Sequence, residues 1–350
     1  MAEKQKSGKD LVKTSSSEKK DEFIIIERVF SHDENNMTIG LANTRAIVPD
    51  VEGNKDKMAR AMEIFKSKGV NAAIFPEFTF PGYFWEDTKA CRPYMDSAVI
   101  ENHTEWIDKT LKPLLDDELR AIVFNNIRKG PDGKYFNSTF TLAAIEEFDY
   151  LKNENTYNKI FLPHLEKVYT QTGGDDRLVV DTKWGRFGFT TCYDILFSQL
   201  LLEYAKIDKV DAIIQIASWR SLARRDYPNM NAGSDTYYGY LWDTVIPAKS
   251  ATNQVWTIAC NAVGTHGITG AHFWGGSGIW SPSGINLLQA SHLNEELLII
   301  HNVDIKGQRA LEKDDFNYIW TGFDFAEERQ PVQGTVDGDL NYHPMQNQQN

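Results

Sequence analysis

Three kinds of feature are scarce in this sequence, and each shortage excludes a class of protein. The 350 residues contain only three cysteines, too few and too scattered for a disulfide framework or a zinc knuckle. No apolar stretch reaches the ~18–20 residues that a membrane span needs. Basic residues are outnumbered by acidic ones, and the formal net charge is −12 at pH 7, which disfavours a general role in binding nucleic acid.

The same observations favour an intracellular setting. The first residues contain no apolar core of the kind that a secretory signal has, and the few cysteines fit a reducing compartment. We therefore expect a cytoplasmic protein that contacts neither membrane nor nucleic acid.

Both ends of the sequence are polar. Residues 1–20 contain six Lys and almost nothing apolar, and such a segment cannot offset the entropy of ordering itself. We predict a disordered charged tail over residues 1–22, with an arm for nucleic acid or membrane as the alternative. Residues 325–350 are also polar, and we expect this extension to pack on a neighbouring subunit or to fray.

Residues 23–324 form one pattern of strands and helices without a visible linker or repeat, which predicts a single domain. Helical periodicity occurs at 54–68, 197–205 and 237–252, and we expect Pro247 to kink or restart the last of these helices. The alternation predicts an α/β domain with helices covering β-sheet, and it leaves one sheet or two stacked sheets open. Apolar, β-branched runs predict strands at 37–43, 72–75, 121–125, 138–145, 187–191, 212–217, 255–260 and 297–303.

Three reactive side chains stand at or near the ends of apolar segments: Glu77, Lys159 and Cys192. A cysteine is a good nucleophile only as the thiolate, so it needs a nearby base or cation. Amide hydrolysis also needs a group that moves protons and a group that stabilises an oxyanion. No His lies beside Cys192, and the eight histidines form no dyad or metal-ligand spacing. We expect no metal and no cofactor.

The sequence around these residues resembles the nitrilase, or carbon–nitrogen hydrolase, superfamily. The resemblance runs from roughly Met37 to Asp304, and the motifs occur in the family's order. They are Phe75-Pro76-Glu77-Phe78 with Pro81-Gly82-Tyr83, Tyr157-Asn158-Lys159, Gly188-Phe189-Thr190-Thr191-Cys192-Tyr193-Asp194, Ala217-Ser218-Trp219, and Gly275-Gly276-Ser277 with Pro282 and Gly284.

This resemblance implies a fold and roles for the reactive residues. The fold would be an αββα four-layer sandwich, assembled into dimers or larger homo-oligomers through helices beside the active site. Cys192 would be the nucleophile, Glu77 the general base and acid, and Lys159 the residue that stabilises the oxyanion. Glu166 is the candidate for the family's second glutamate, which would hold Lys159 and orient substrate or water.

Four further residues are candidates for substrate binding. The backbone N–H of Tyr193 would assist at the oxyanion, and Trp219 would form a pocket wall. Tyr83 is either part of an aromatic pocket or ordinary packing. Arg220 either binds a carboxylate of the substrate bidentately or belongs to a solvated basic loop.

One departure from the family pattern bears on the substrate. True nitrilases usually have Trp-Glu after the cysteine, whereas this chain has Tyr193-Asp194, which is closer to the amidase branches. We expect hydrolysis of a small non-peptide amide or N-carbamoyl compound through a Cys192 thioester. The alternatives are a nitrilase and, from another class, a non-catalytic oligomeric scaffold that retains the fold.

Overall fold

Two β-sheets lie face to face, and each is covered by helices on its outer side. The computed structural model describes residues 15–84, 91–130, 132–315, 317–321, 334–336 and 342–344. Most strands belong to these two sheets, and the bounds of all strands, numbered in chain order, are β1 Ser15–Lys20, β2 Phe23–Val29, β3 Met37–Asn43, β4 Ala72–Ile74, β5 Ala121–Lys129, β6 Tyr135–Ala143, β7 Thr156–Asn158, β8 Val179–Asp181, β9 Arg186–Thr191, β10 Ala212–Ala217, β11 Arg225–Asp226, β12 Gly233–Ser234, β13 Trp256–Asn261, β14 Val263–Thr265, β15 His272–Trp274, β16 Gly278–Trp280, β17 Asn286–Gln289, β18 Glu296–Val303, β19 Gly334–Val336 and β20 Tyr342–Pro344.

The first sheet has eight strands in the order β1-β2-β18-β3-β4-β5-β6-β7, and the second has six in the order β17-β16-β13-β10-β9-β8. In the described ranges, the two longest helices have 17 residues each, and no helix is both long and apolar enough to cross a bilayer. The α-helices are α1 Val51–Ser67, α2 Cys91–Ala98, α3 Thr104–Trp106, α4 Ser198–Lys206, α5 Tyr237–Asn253, α6 Ile305–Asp315 and α7 Tyr318–Thr321.

The central strands are buried on both faces, which explains why they are apolar throughout. In β3, Ile39 and Leu41 pack between the two sheets, while Ala42 packs on the helical side with α1. In β10, Ile214 faces the layer between the sheets, and Ile213 faces the layer that contains α4 and α5. Three apolar layers therefore separate four layers of secondary structure, which confirms the predicted αββα sandwich.

The predicted elements agree with the structure to within a few residues, apart from one detail in α5. The bounds of β3 and β10 are those predicted. The expected restart of the helix at Pro247 does not occur. Helix α5 continues through this residue. Ile246 and Ser250, on either side of Pro247, are both buried, so packing holds both halves of the helix in place.

The predicted disordered tail is corrected in its last part. Ser15–Lys20 forms the edge strand β1, antiparallel to β2, and a turn in which Asp21 has a φ of 52° connects the two strands. The side chains of β1 are exposed, so the amino-acid composition of this segment does not predict an ordered strand. The strand is held instead by backbone pairing and by an ion pair of 2.7 Å between Glu18 and Lys68. Residues 1–14 lie outside the described residues.

Little of the predicted C-terminal extension is described. Within 325–350, the structure gives the antiparallel pairing of β19 with β20, and the other positions lie outside the described residues. Packing of this extension on a neighbouring subunit, the oligomeric state and the cytoplasmic location stay predictions.

We expect the layer between the sheets to dominate stability. Leu41 is fully buried there, and its replacement by Ala should lower the free energy of unfolding by about 3 kcal/mol, because it removes apolar contacts and leaves a cavity. Leu311 on α6 is 61% exposed, so Leu311→Ala should change stability by less than about 0.5 kcal/mol. Urea denaturation of both variants tests this, and equal effects would contradict the assigned layer.

Candidate active site

The candidate active site lies where the two sheets meet at the carboxyl ends of their strands. Glu77 follows β4 of the first sheet, whereas Cys192 and Ser218 follow the parallel strands β9 and β10 of the second. A backbone hydrogen bond of 3.3 Å from the N–H of Glu77 to the carbonyl of Ala217 joins the sheets at this edge. Lys159 follows β7, the last strand of the first sheet.

Lys159 lies between two carboxylates, out of contact with solvent. Its Nζ donates to Oε1 of Glu77 and to Oε1 of Glu166, at 2.9 Å each. All three side chains are fully buried. A buried charge is tolerated only when it is paired and hydrogen-bonded, and each of these three residues has an oppositely charged partner here.

The electrostatics of this group follow from burial and pairing. Burial alone would lower the pKa of Lys159, but the charges of Glu166 and Glu77 outweigh it and raise that pKa well above its ordinary value. Burial also raises the pKa of Glu166 to about 7, against the opposing charge of Lys159. Lys159 therefore stays an ammonium at neutral pH, while Glu166 is close to its own titration.

The carboxylate of Glu77 has polar partners on every side. Besides Lys159, the amide of Asn137 donates to its Oε1 at 2.7 Å, and the backbone N–H of Ser218 donates to Oε2 at 2.8 Å. The negative charge of Glu77 also acts on the Cys192 thiol and raises its pKa. Glu77 is therefore the carboxylate to which a proton could pass from the sulfur.

Cys192 occupies a strained turn. Its φ of 51° is unusual for a residue with a Cβ and costs on the order of 1–2 kcal/mol. The turn opens a 3₁₀ helix, Cys192–Leu196, whose N-terminus is capped by a capping box between Thr191 and Asp194. Burial and the negative charge of Glu77 raise the pKa of the Cys192 thiol well above its ordinary value, and Lys159 opposes them. Cys192 therefore rests as a thiol.

Asp194 connects the segment that contains Lys159 to this turn. Its carboxylate accepts hydrogen bonds from the hydroxyl of Tyr157 (2.6 Å), the backbone N–H of Phe161 (2.7 Å) and the backbone N–H of Thr191 (2.9 Å). Burial raises the pKa of Asp194 to about 6, although Lys159 and these donors oppose the shift. Tyr157 and Phe161 flank Lys159, so one carboxylate fixes both Lys159 and Cys192.

A pocket of about 230 Å³ opens onto Cys192. This volume is below the ~300–1,000 Å³ of sites for drug-sized ligands, so a small molecule fits. The described lining is largely apolar, includes Arg220 and contains no acidic side chain. It consists of Tyr83, Pro163, His164, Leu165, Cys192, Tyr193, Leu196, Ser218, Trp219, Arg220, Tyr238 and Leu241.

The walls of the pocket are fixed by aromatic contacts. The guanidinium carbon of Arg220 lies 5.9 Å from the ring centroid of Tyr83, within the range of a cation–π contact. The indole N–H of Trp219 donates to the carbonyl of Tyr238 at 2.7 Å. Burial raises the pKa of Tyr83 well above its ordinary value, and the charge of Glu166 adds to this effect, so its hydroxyl stays protonated.

Comparison with known proteins identifies the family. Residues 38–313 match the carbon–nitrogen hydrolase family, which is well over half of the chain. The chain belongs to this family. It is a hydrolase that acts on carbon–nitrogen bonds other than peptide bonds.

Relatives of this carbon–nitrogen hydrolase include both amidases and nitrilases. A chloroplastic omega-amidase from Arabidopsis thaliana is 30% identical over 280 residues, covering 76% of this chain and 67% of the relative. A probable nitrilase from Schizosaccharomyces pombe is 27% identical over 286 residues, covering 81% and 92%. A superfamily protein from Xanthomonas campestris, solved with an arsenic adduct in its active site, matches with a TM-score of 0.65 at 19% identity, covering 82% and 97%. This last likeness shows the fold.

The structure brings together every site residue that the sequence of this hydrolase suggested. Glu77, Lys159, Glu166 and Cys192 form the polar group. Tyr83, Tyr193, Trp219 and Arg220 all line the pocket. In the part of the chain that the structure describes, no group of three or more His, Cys, Asp or Glu could hold a metal ion.

Several residues at the site were not predicted. Asn137 contacts both carboxylates. In the sequence it is marked only as a polar residue one position before a predicted apolar strand, which does not indicate a role in the site. Asp194 belongs to the cysteine motif, but its contacts with Tyr157 and Phe161 were not predicted. Tyr238 and Leu241 belong to α5 and reach the pocket only because of the tertiary fold.

We expect the titration of Cys192 to report the charge of Glu77. In the wild type, alkylation by iodoacetamide should be slow at neutral pH and should rise with a midpoint above that of an ordinary thiol. In Glu77→Gln the midpoint should move to lower pH, because a negative charge that opposes the thiolate is gone while Lys159 remains. Mass spectrometry of the modified peptide measures the rate, with Cys192→Ala as the blank. An upward shift would contradict this effect of Glu77.

Proposed function

We propose that this hydrolase cleaves a small non-peptide amide or N-carbamoyl compound through a thioester on Cys192. One observation carries the proposal: Glu77, whose negative charge acts on the Cys192 thiol, is paired with a fully buried Lys159. Nucleophile, proton acceptor and cation therefore meet at the base of a pocket that fits a small molecule.

The first step is acylation. The sulfur of Cys192 attacks the substrate carbonyl carbon while its proton passes to Glu77. The negative charge that develops on the carbonyl oxygen is stabilised by Lys159 and by the backbone N–H of Tyr193. An ammonium has three N–H donors, and two of those on Lys159 point at Glu77 and Glu166, which leaves the third for the oxyanion.

The tetrahedral intermediate then collapses. The carbon–nitrogen bond breaks, and Glu77 gives its proton to the departing amine or ammonia. In the second half of the reaction, a water molecule gives a proton to Glu77 and its oxygen attacks the thioester carbon. The carbon–sulfur bond breaks, the acid leaves, and the proton on Glu77 returns to Cys192. Glu166 keeps Lys159 in place throughout.

We propose that Arg220 binds an anionic group of the substrate. It is a cation in the described lining of a largely apolar pocket, where a guanidinium can pair with a carboxylate in a bidentate manner. The similarity to an omega-amidase supports an amide at the far end of such a substrate. The pocket would then place the carboxylate at Arg220 and the amide carbon at Cys192.

We expect turnover to depend entirely on Cys192. A mixed pool of short primary amides, ω-amides of dicarboxylic acids, N-carbamoyl amino acids, secondary amides and nitriles is incubated with the wild type and with Cys192→Ala. Loss of one class with the wild type alone, measured by mass spectrometry, supports the thioester mechanism. Equal loss with both proteins contradicts it. Loss of nitriles alone favours the nitrilase alternative, and no loss with an unreactive Cys192 favours the scaffold.

Arg220 should affect the binding of anionic substrates rather than the chemistry. Arg220→Gln should raise KM for a carboxylate-bearing amide by about 10- to 100-fold, because a hydrogen bond to a charged group contributes ~1.5–3 kcal/mol, while kcat and the KM of an uncharged amide change little.

Arg224 provides the control. It lies nearby in sequence, is 73% exposed and pairs with Asp226 at 2.6 Å. Arg224→Gln should leave both KM values unchanged. The same KM increase in both variants would indicate a general effect of positive charge and would refute a specific contact at Arg220.

A further inference from the structure

Asn137 has an unusual environment for an uncharged residue. It lies on β6, is 1% exposed, and its side-chain nitrogen donates to two different carboxylates. One contact is to Oε1 of Glu77 at 2.7 Å, and the other is to Oε2 of Glu166 at 3.1 Å. Both N–H groups of one amide are thus used by the two acids that flank Lys159.

The orientation of this amide is determined by a second asparagine. The backbone N–H of Phe78 donates to Oδ1 of Asn125 at 2.9 Å, so the Nδ2 of Asn125 must point the other way. There it donates to Oδ1 of Asn137 at 2.8 Å and to the hydroxyl of Thr139 at 3.1 Å. With its oxygen held by Asn125, Asn137 can present only N–H groups to Glu77 and Glu166.

We propose that Asn137 is a positioning residue that keeps the carboxylates of Glu77 and Glu166 on opposite sides of Lys159, with Glu77 turned towards Cys192 as its proton acceptor. This inference rests on the proposed thioester function. Two acids and one ammonium leave an excess of negative charge, and the N–H donors of Asn137 stabilise it without adding another charge.

The charged and titratable groups that face the two acids come from several parts of the fold. Lys159 follows β7, Cys192 follows β9, and Tyr83 follows β4. The charges of Glu77 and Glu166 both act on Cys192 and on Tyr83. Among these groups, only Lys159 brings a positive charge. Removal of the Asn137 donors therefore favours the protonated form of Glu166, whose pKa the Asn137 hydrogen bond lowers.

Other side chains would not reproduce this arrangement. Ala and Ser lack a pair of donors that can reach both acids. Asp has the same size as Asn, but it adds a third negative charge when ionised and presents only acceptors. These differences make Asn137→Ala and Asn137→Asp informative, because both act through the charge of the neighbouring carboxylates.

The first arm of the test is independent of any substrate. Burial raises the pKa of Glu166 to about 7, so the donors of Asn137 matter less at pH 5, where that acid is protonated, than at pH 8. Asn137→Ala should therefore lower the urea midpoint more at pH 8 than at pH 5, and Asn137→Asp should show a larger pH difference. If either Asn137→Ala or Asn137→Asp does not fold, the other variant still tests the inference.

Asn126 is a matched control. It is a fully buried asparagine on β5, and its amide donates to the backbone carbonyl of Ala98 at 3.0 Å rather than to an acid. Asn126→Ala should lower stability equally at both pH values. A pH-independent loss in the Asn137 variants, like that of Asn126→Ala, would overturn the inference.

The second arm measures the reaction. Acylation of Cys192 by p-nitrophenyl acetate is followed as the burst of nitrophenolate between pH 5 and 9, with Cys192→Ala as the blank. In Asn137→Ala the acidic limb of the pH–rate profile should move to higher pH by about one unit. The reason is that the free energy of one hydrogen bond to a charged group is comparable to that of a shift of one pKa unit. At a pH on this limb, below the midpoints of both proteins, the burst should therefore be about tenfold slower, and Asn126→Ala should match the wild type.

The two arms separate the inference from the proposed function. No Cys192-dependent burst in the wild type, together with pH-dependent stability loss in the Asn137 variants, would refute the thioester function and support the placement of the carboxylates by Asn137. A normal burst in the wild type with an unshifted limb in Asn137→Ala would overturn the positioning role while the thioester function stands.

Discussion

The buried ammonium of Lys159 is the constraint on which the rest of the site depends. Transferring one ion from water to a protein interior costs several kcal/mol, and here Lys159, Glu77 and Glu166 are all fully buried. The charges are tolerated because each has specific partners: an amide from Asn137 and a backbone N–H from Ser218 in addition to the ion pairs. Loss of one partner would leave a buried charge uncompensated, which is strongly destabilising.

The fold supplies these partners from distant parts of the sequence. Glu77 comes from the first sheet and Cys192 from the second, and the two sheets are joined at this edge by the backbone hydrogen bond from Glu77 to Ala217. Asp194 then fixes the distance between two segments, since it accepts from Phe161 on one side and Thr191 on the other. The strained φ of Cys192 persists because this capping arrangement over-determines the turn.

The sequence predicted what depends on local pattern and failed where tertiary contacts decide. Strands β3 and β10 are buried on both faces, so their apolar runs marked them clearly. Cys192 stood out through a motif, whereas Asn137 did not, because a buried asparagine and an exposed one look alike in a single sequence. The exposed residues of β1 suggested disorder, since the backbone pairing that holds this strand has no signature in its side chains.

The buried carboxylate–lysine group and most of the pocket lining come from different residues of this structure. The carboxylate–lysine group is sealed from solvent, and Cys192, only 9% exposed, connects it to the pocket. In the proposed mechanism, a substrate therefore contacts the buried charges only at the reacting carbonyl, and the lining provides all other recognition. Most of that lining comes from loops and from α5, which can vary without disturbing the buried ion pairs. In the proposed mechanism, changes at Arg220 and Tyr238 would thus alter the substrate while Glu77, Lys159 and Cys192 keep the same reaction.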